Sequence, residues 1–373
     1  MSFGKNRMIP VSQPLLSQLE VEYVTDAVKS GWVSSLGAYI DSFEKKFAEF
    51  CGTQYAVSVC NGTVGLHLAL KALGISEGDE VIVPDLTFVA TANTVVMAQG
   101  TPVMVDVCRD TYCIDPAEII KAITPKTRAI IPVHLYGHPA NMPEIMKIAS
   151  DHNLYVIEDA AEAHGASIAG VRVGAFGDCG VFSFYGNKVI TSGEGGMITT
   201  NDPSLYARAR LLRDHAMSKE VRYWHTEVGY NYRITNLQAA LGLAQLEQID
   251  VFLTYRKNLL LQYKEVLKSS GVECNPSVNA DPVNWMVCVV DDRLNRKGRD
   301  LVIGHMRELG VDARPFFFPM SMMPMYHQKN NPVAYKLSEC GFNLPTFVGM
   351  TEAQVSETCA VFLSALAKVL KQA

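Results

Sequence analysis

The sequence lacks the features that mark several common classes of protein. It has no block of lysine and arginine, and its formal net charge is -5 at pH 7, so we expect no nucleic-acid partner. Its nine cysteines include no C-x-x-C pair, which argues against a disulfide-stapled secreted protein. The opening MSFGKNRMIPVSQP has no apolar signal core, and prolines and polar residues interrupt the most apolar stretch, 81–107. We expect a soluble, cytoplasmic protein with no membrane partner.

Motifs of two enzyme classes are also missing. A dinucleotide-binding dehydrogenase needs G-x-G-x-x-G after its first strand, and the cluster GEGG at 193–196 has the wrong spacing. A metal hydrolase could use His134 and His138, but HLYGH contains glycine and precedes proline, unlike a helical H-E-x-x-H site. Either histidine is more readily structural, and we expect no metal site.

Short apolar runs alternate with helical patterns over much of the chain. The 373 residues are 48% hydrophobic and 19% charged, enough to bury a large core in two domains. The apolar runs are rich in Val and Ile and bounded by Gly, Pro or Asp, as in strands buried on both faces. They lie at 55–60, 79–84, 101–107, 129–137, 154–160, 179–186 and 196–200, with helical patterns at 63–73, 88–98, 115–123 and 142–152. This alternation predicts an α/β fold with a mostly parallel sheet.

The pattern changes in the last third of the chain. From Thr235, TNLQAALGLAQLEQID has a broad apolar helical face, with Thr235 or Asn236 as N-cap. A charged helix, a strand at 285–290, a helix at 297–309 and a final helix follow, and the last opens with Thr351-x-x-Gln354, a capping box. We predict a large domain over residues 1–250 and a small C-terminal one over 251–373.

Two polar residues end apolar runs and suggest a cofactor. Asp159, in LYVIEDAAEAHG, ends a predicted strand, where ligands bind in open α/β sheets, although it could merely cap a helix. Lys188 lies between Gly186 and a glycine cluster that permits close backbone approach, although most lysines are solvated surface residues. Pyridoxal-5′-phosphate (PLP) enzymes need a lysine for the Schiff base and an acid opposite the pyridine nitrogen. The pair therefore predicts PLP.

A phosphate site is the second requirement of PLP. Gly62 and Thr63, in NGT, open a predicted helix whose N–H groups and dipole favour an anion, and Ser183 could add a hydroxyl. Phe88 follows the next strand and could stack on the ring. The alternatives are ordinary helix capping for NGT and a core position for Phe88.

These stretches, in this order, resemble the PLP-dependent nucleotide-sugar aminotransferases, and within them most closely the GDP-perosamine synthases. The resemblance runs from about residue 8 to the end of the chain. The segments that carry it are SGWVSSLGAYI, NGTVGLHLALKALGISEGDEVIVP, PVHLYGHPANM, VIEDAAEAHGA, FSFYGNKVITSGEGGM and GYNYRITNLQAALGLAQLEQID. It implies the aspartate-aminotransferase fold (PLP fold type I): a large domain with a seven-stranded, mostly parallel sheet and a smaller C-terminal α/β domain.

The resemblance also implies roles for individual residues. Lys188 is the implied Schiff-base lysine and proton carrier, Asp159 pairs with the pyridine nitrogen, and Glu162 lies near the 3-oxygen of the cofactor. Gly62, Thr63 and Ser183 hold the phosphate, and Phe88 stacks on the ring. Asn231, in GYNYR, resembles a residue that reaches the phosphate of the neighbouring subunit, which implies a homodimer with shared active sites; it could instead be a turn residue.

The implied reaction has two halves. L-glutamate converts PLP to pyridoxamine 5′-phosphate, which aminates C4 of a nucleotide-linked 4-keto-6-deoxy sugar, first of all GDP-4-keto-6-deoxymannose, for polysaccharide or O-antigen biosynthesis. A PLP-binding transcription regulator would need a basic surface or appendage that the chain lacks.

The substrate-facing segment departs from the pattern of the perosamine synthases. They usually have His where this chain has Ser321, and often His or Tyr in place of Phe318. Missing polar groups change which substrate a site holds, so a UDP- or dTDP-linked sugar, or another keto-sugar, remains an alternative. Trp32, Ser35 and Arg314 are further candidate substrate contacts.

Overall fold

The computed structural model describes residues 8–275 and 278–371, so the outermost parts of both predicted domains lie outside the described residues. The strands are β1 (Tyr55–Val59), β2 (Glu80–Pro84), β3 (Thr101–Val105), β4 (Thr127–Ile130), β5 (Tyr155–Asp159), β6 (Ser167–Ile168), β7 (Val171–Arg172), β8 (Cys179–Ser183), β9 (Gly196–Thr200), β10 (Glu273–Cys274), β11 (Val287–Val290), β12 (Arg314–Pro315) and β13 (Gly341–Leu344).

Helices separate most of these strands along the chain. They are α1 (Gln18–Lys29), α2 (Ala38–Cys51), α3 (Gly62–Ala72), α4 (Ala90–Met97), α5 (Pro116–Ala122), α6 (Met142–His152), α7 (Pro203–Arg213), α8 (Asn236–Leu246), α9 (Ile249–Leu267), α10 (Arg296–Glu308), α11 (Pro332–Cys340) and α12 (Glu352–Leu370). The four helical patterns between the predicted strands correspond to α3, α4, α5 and α6.

The large sheet has seven strands in the order β1-β9-β8-β5-β4-β2-β3. β9 runs antiparallel to both of its neighbours, and the remaining pairs are parallel. The predicted α/β fold with a mostly parallel sheet is therefore confirmed. Apart from the partly buried Val103, the Val and Ile side chains of the seven strands are buried on both faces of this sheet, which explains their continuous apolar runs.

The run at 129–137 is a strand over only part of its length. β4 ends at Ile130, and Leu135–Gly137 form a 3-10 turn in which Tyr136 has φ 53°. The prediction of a strand through 137 was therefore wrong. Pro132 has no N–H to donate to a ladder, and a left-handed residue cannot continue an extended strand.

The helix predicted from Thr235 divides in two. α8 begins after Thr235, whose capping box with Gln238 is present, and ends at Leu246, before α9 begins at Ile249. α8 buries alanines and leucines against α1 and α2 of the same chain, which accounts for its broad apolar face.

A second, antiparallel sheet has the order β10-β11-β13-β12 and packs with α9 to α12. The N-terminal segment joins this part of the chain, because the Ile9 amide donates to Gly310 (2.8 Å) and the Asp312 amide donates to Ile9 (2.9 Å). The boundary near residue 250 stays a prediction.

Among the described residues, α12 is the one helix with the length and apolar composition to cross a membrane. Its apolar residues pack in the protein core instead: Val355, Cys359, Phe362, Leu366 and Val369 are all buried. The predicted capping box of Thr351 and Gln354 begins this helix.

Candidate active site

A cavity of about 750 Å³ opens where β2, β5 and β8 end, and the second sheet forms its far wall. Carboxyl ends of parallel strands form the ligand crevice in folds of this kind. Eight residues predicted from the sequence line the cavity: Gly62, Thr63, Phe88, Asp159, Glu162, Ser183, Lys188 and Arg314.

Lys188 is held inside this cavity rather than in solvent. Its side chain is 13% exposed, its Nζ lies 3.5 Å from Oε1 of Glu162, and it sits 4.1 Å from the ring centroid of Trp285. The indole Nε1 of Trp285 in turn donates to the carbonyl of Asn187 (2.7 Å). A carboxylate and an aromatic face thus fix the ammonium from two sides.

Asp159 faces the same cavity from the end of β5. The hydroxyl of Thr91 donates to its Oδ2 (2.8 Å), and burial raises the pKa of this carboxyl group although that hydrogen bond acts to lower it. Turns, not a helix, follow Asp159, so the alternative role as a helix cap does not apply.

The adjacent Glu158 points to the opposite side of the sheet, because successive residues of a strand face opposite ways. It accepts the amides of Gly174, Phe176 and Gly177 at 2.8 Å each and contacts Nε2 of His134 (3.1 Å). His134 is therefore structural. No group of three or more potential metal ligands occurs within residues 8–275 and 278–371.

Glu162 connects the lysine to the backbone. Its Oε2 accepts the Tyr136 amide (2.8 Å) while Oε1 faces Lys188. Burial raises the pKa of Glu162, and the nearby Lys188 ammonium opposes that rise.

The start of α3 provides an anion cradle. Asn61 caps the helix through the Val64 amide (3.0 Å), which leaves the N–H groups of Gly62 and Thr63 without partners inside the helix. A Cβ on Gly62 would lie 2.9 Å from Cβ of Ser183, so glycine is what allows this close approach. Ser183 ends β8 with its hydroxyl beside the Tyr185 amide (3.4 Å).

Four rings form a row along the cavity wall from Phe88 to Lys188. Phe88 lies 5.8 Å from Phe317, Phe317 lies 5.5 Å from Tyr136, and Tyr136 lies 6.3 Å from Trp285. The sequence did not identify Thr91, Tyr136, Trp285 or Phe317 as site residues. Thr91 shares the segment DLTFVATAN with Phe88, which was a usable signal, whereas only the fold brings Trp285 to Lys188.

Five predicted residues do not line the cavity in the single chain. Asn231 accepts from the guanidinium of Arg233 (3.0 Å) at the surface, and Trp32 is 57% exposed. Ser35 is half-buried, Phe318 stacks under Arg296 (4.8 Å), and Ser321 is fully buried against Asp85. Ser321 thus contacts protein within the single chain, and its role as a substrate contact stays a prediction.

A lysine, two carboxyl groups and an anion cradle around one cavity are the parts that PLP requires. The model of the DegT/DnrJ/EryC1/StrS aminotransferase family matches residues 14–362. The chain belongs to this family. Its members are PLP-dependent sugar transaminases, so this chain is one as well.

Individual relatives of this aminotransferase are similar over nearly their whole length. The GDP-perosamine synthase of Caulobacter vibrioides is 46% identical and covers 94% of this chain and 96% of its own. That of Escherichia coli O157:H7 is 45% identical and covers 95% and 97%. A candidate sugar aminotransferase of Streptococcus pneumoniae, in its PMP form, superimposes with a TM-score of 0.94 at 25% identity and covers 98% and 99%. This confirms the predicted aspartate-aminotransferase-like fold.

Proposed function

We propose that this aminotransferase moves the amino group of L-glutamate to C4 of GDP-4-keto-6-deoxymannose and so forms GDP-perosamine. The observation that carries the proposal is the 45–46% identity, over almost the whole chain, to two GDP-perosamine synthases. We also propose that the reaction takes place in the cytoplasm and supplies polysaccharide or O-antigen assembly.

The cavity residues support a division of roles around PLP, which supplies an electron-withdrawing ring and a carbon that carries the amino group. Gly62, Thr63 and Ser183 would bind its phosphate, and Phe88 would contact the ring face. Asp159, fixed by Thr91, would be the acid for the pyridine nitrogen, and Glu162 would interact with the 3-oxygen.

Lys188 moves the proton in both half-reactions. Its Nζ would take the proton from Cα of L-glutamate in the first half-reaction and would give a proton to C4 of the sugar in the second. Glu162 and Trp285 hold the amine where it can do so, and the apolar wall excludes water. Arg314, 57% exposed and paired with Asp312 (3.0 Å), stands at the mouth, where a nucleotide diphosphate can meet a guanidinium.

We further propose a homodimer in which Asn231 serves the active site of the partner subunit. Asn231 is exposed at the surface, as expected of a residue that acts across an interface. The loop around it exposes large apolar side chains, including Tyr223 (73%), Trp224 (63%) and Val228 (85%), which are typical of an interface.

The test supplies purified protein with PLP, L-glutamate and GDP-, UDP- or dTDP-linked 4-keto-6-deoxy sugars. We expect amination of the GDP sugar with a kcat/KM at least about a hundredfold above that of the other two sugars. A substrate that leaves polar groups of the binding site without partners loses about this much in kcat/KM. Mass spectrometry of the products measures it. Preference for a UDP or dTDP sugar would overturn the GDP assignment, and no transfer to any of the three would overturn the function.

A further inference from the structure

We propose that Asp85 is a positioning residue that clamps the base of the 321–331 loop and thereby holds Phe317 in the wall of the active-site cavity. Asp85 follows β2 directly and is fully buried. It does not line the cavity. The proposal rests on the proposed function, because it concerns how the substrate of that reaction is held.

Asp85 contacts both ends of this loop. Its Oδ1 accepts the Ser321 amide (2.7 Å), while its Oδ2 accepts the Ser321 hydroxyl (2.6 Å) and the Asn331 side-chain amide (2.8 Å). Its backbone carbonyl also accepts the Met320 amide (2.8 Å). One residue of the large sheet therefore closes the loop at its base.

The loop between these two ends is largely exposed. Ser321 and Asn331 are buried, whereas most residues from 322 to 330 are not. Tyr326 makes a further contact with the large domain through Asn93 (2.5 Å), and α11, which follows the loop, is capped by Asp106 through the Val333 and Ala334 amides. Because residues 322–330 are largely exposed, we infer that the hydrogen bonds of Asp85 at the base of the loop fix its position.

The clamp reaches the cavity through the residues just before the loop. Phe317 lies four residues ahead of Ser321 and Phe88 three residues after Asp85, and these two rings meet at 5.8 Å. The Phe317 amide also donates to the Tyr136 hydroxyl (3.2 Å). Asp85 thus fixes the relative position of two rings in the row that ends at Lys188.

Loss of the fixed position of Phe317 should weaken the binding of a large substrate more than that of a small one. A nucleotide-linked sugar is far larger than L-glutamate, so we expect it to contact more of the cavity and to reach Phe317 and Arg314, which line it. Loss of the clamp should therefore raise the KM for the sugar with little effect on the KM for glutamate.

The experiment compares Asp85→Ala, the more conservative Asp85→Asn and the control Asp178→Asn. Like Asp85, Asp178 has a carboxyl group that accepts a backbone amide, that of Val156 (2.7 Å), but it is only part-buried and precedes β8, at the opposite end of the parallel strands from the cavity. For Asp85→Ala we expect a KM for the sugar nucleotide raised about tenfold, with the KM for L-glutamate changed by less than about twofold. Asp85→Asn keeps one acceptor oxygen, but its NH2 group would face a donor of Ser321 or Asn331, so it should rescue only part of the loss.

A second measurement uses the cofactor-free protein. In Asp85→Ala, hydrogen exchange of the amides in 314–318 should accelerate about tenfold, and in Asp178→Asn it should not change. Unchanged exchange there, or equal effects on both KM values, would overturn the role of Asp85. If wild-type protein aminates no sugar nucleotide, the proposed function fails, and the exchange measurement still decides whether Asp85 holds this wall.

Discussion

Adjacent residues of one strand have different jobs in this molecule. The carboxylate of Glu158 accepts structural hydrogen bonds on the face of the sheet opposite the cavity. Asp159 faces the cavity and accepts a hydrogen bond from the hydroxyl of Thr91. The sequence predicted Asp159 as a cavity residue because it ends an apolar run, where ligands bind in open α/β sheets, and Asp159 does line the cavity. It could not predict Thr91 or Trp285, because their roles depend on where distant segments meet.

Asp159→Asn should separate stability from activity. Turnover is expected to fall on the order of a hundredfold or more, because an amide does not favour a protonated pyridine nitrogen. Burial raises the pKa of Asp159, so its stabilising contribution is lost as the pH rises above its ordinary value of 3.8. The cofactor-free variant should therefore melt at a higher temperature than wild type at pH 8.

Steady-state rates and thermal unfolding of the cofactor-free proteins measure these two effects. Thr91→Val, which removes only the hydroxyl donor, is the companion variant. A turnover within about twofold of wild type in Asp159→Asn would contradict the pairing with the pyridine nitrogen.

His164 should make the protein sensitive to acid. It is fully buried beside Phe182 (5.4 Å) and Phe184 (5.6 Å), and burial lowers its pKa to about 3. The stability that depends on its neutral form is present above pH 6.5 and is lost as the pH falls towards the folded-state value. Between pH 7 and pH 5, wild type should lose about 2 kcal/mol more stability than His164→Leu. Denaturant unfolding at the two pH values measures this difference, and equal losses would contradict it.

At the scale of elements, the phosphate cradle depends on how closely β9 approaches the start of α3. A Cβ on Gly196 would lie 2.7 Å from the backbone C and O of Asn61. Since backbone cannot move aside as a side chain can, Gly196→Ala should displace the start of α3. We expect PLP affinity to fall about tenfold or more, measured by titration of the cofactor-free protein.

The matched control is Gly304→Ala in α10. A Cβ there meets nothing within 4 Å, and alanine favours a helix, so PLP affinity should not change and stability should rise slightly. Normal PLP binding by Gly196→Ala would show that this contact does not shape the cradle.

Most elements could be predicted because their physical causes are local. Val-rich runs predicted the seven strands of the large sheet, and the N-cap candidate Thr235 and the capping box at Thr351 marked the beginnings of α8 and α12. The errors arose where one residue overrides a pattern. Pro132 and the left-handed Tyr136 end the run after β4, and the break at 247–248 divides one apolar face into two helices.

At the scale of the whole molecule, shared active sites can be tested with mixed dimers. Lys188→Ala and Asn231→Ala should each be inactive or weak alone. If Asn231 acts across the interface, a hybrid of the two variants contains one site with both native residues. Mixing after mild dissociation should then restore up to roughly half of the wild-type activity per hybrid dimer.

A hybrid of Lys188→Ala with Lys121→Ala is the control and gives the activity of a dimer with one native site. Lys121 is an exposed surface residue paired with Glu118 (2.6 Å), so its replacement should leave the active sites unchanged. Sedimentation analysis checks that the proteins are dimeric. No recovery in the hybrid of Lys188→Ala with Asn231→Ala would place Asn231 in its own subunit's site or outside any site.

The substrate is the property that the sequence pattern determines least. Ser321 and Phe318 were predicted as substrate contacts from their place in the segment, but the chain path turns Ser321 towards Asp85 and Phe318 towards Arg296. Which side chains face a cavity depends on loop packing, and no local period reveals that. Arg314, in contrast, was predicted and does line the cavity.

The central claim is that Lys188 is the amine that holds PLP, opposite Asp159 in one cavity. Borohydride reduction of the PLP complex fixes the cofactor to its amine, and peptide mass spectrometry then locates it. We expect a single modified peptide that contains Lys188, and we expect it to be lost in Lys188→Ala although that variant remains folded. A cofactor fixed to any other lysine, or an unmodified Lys188 in protein that binds PLP, would contradict it.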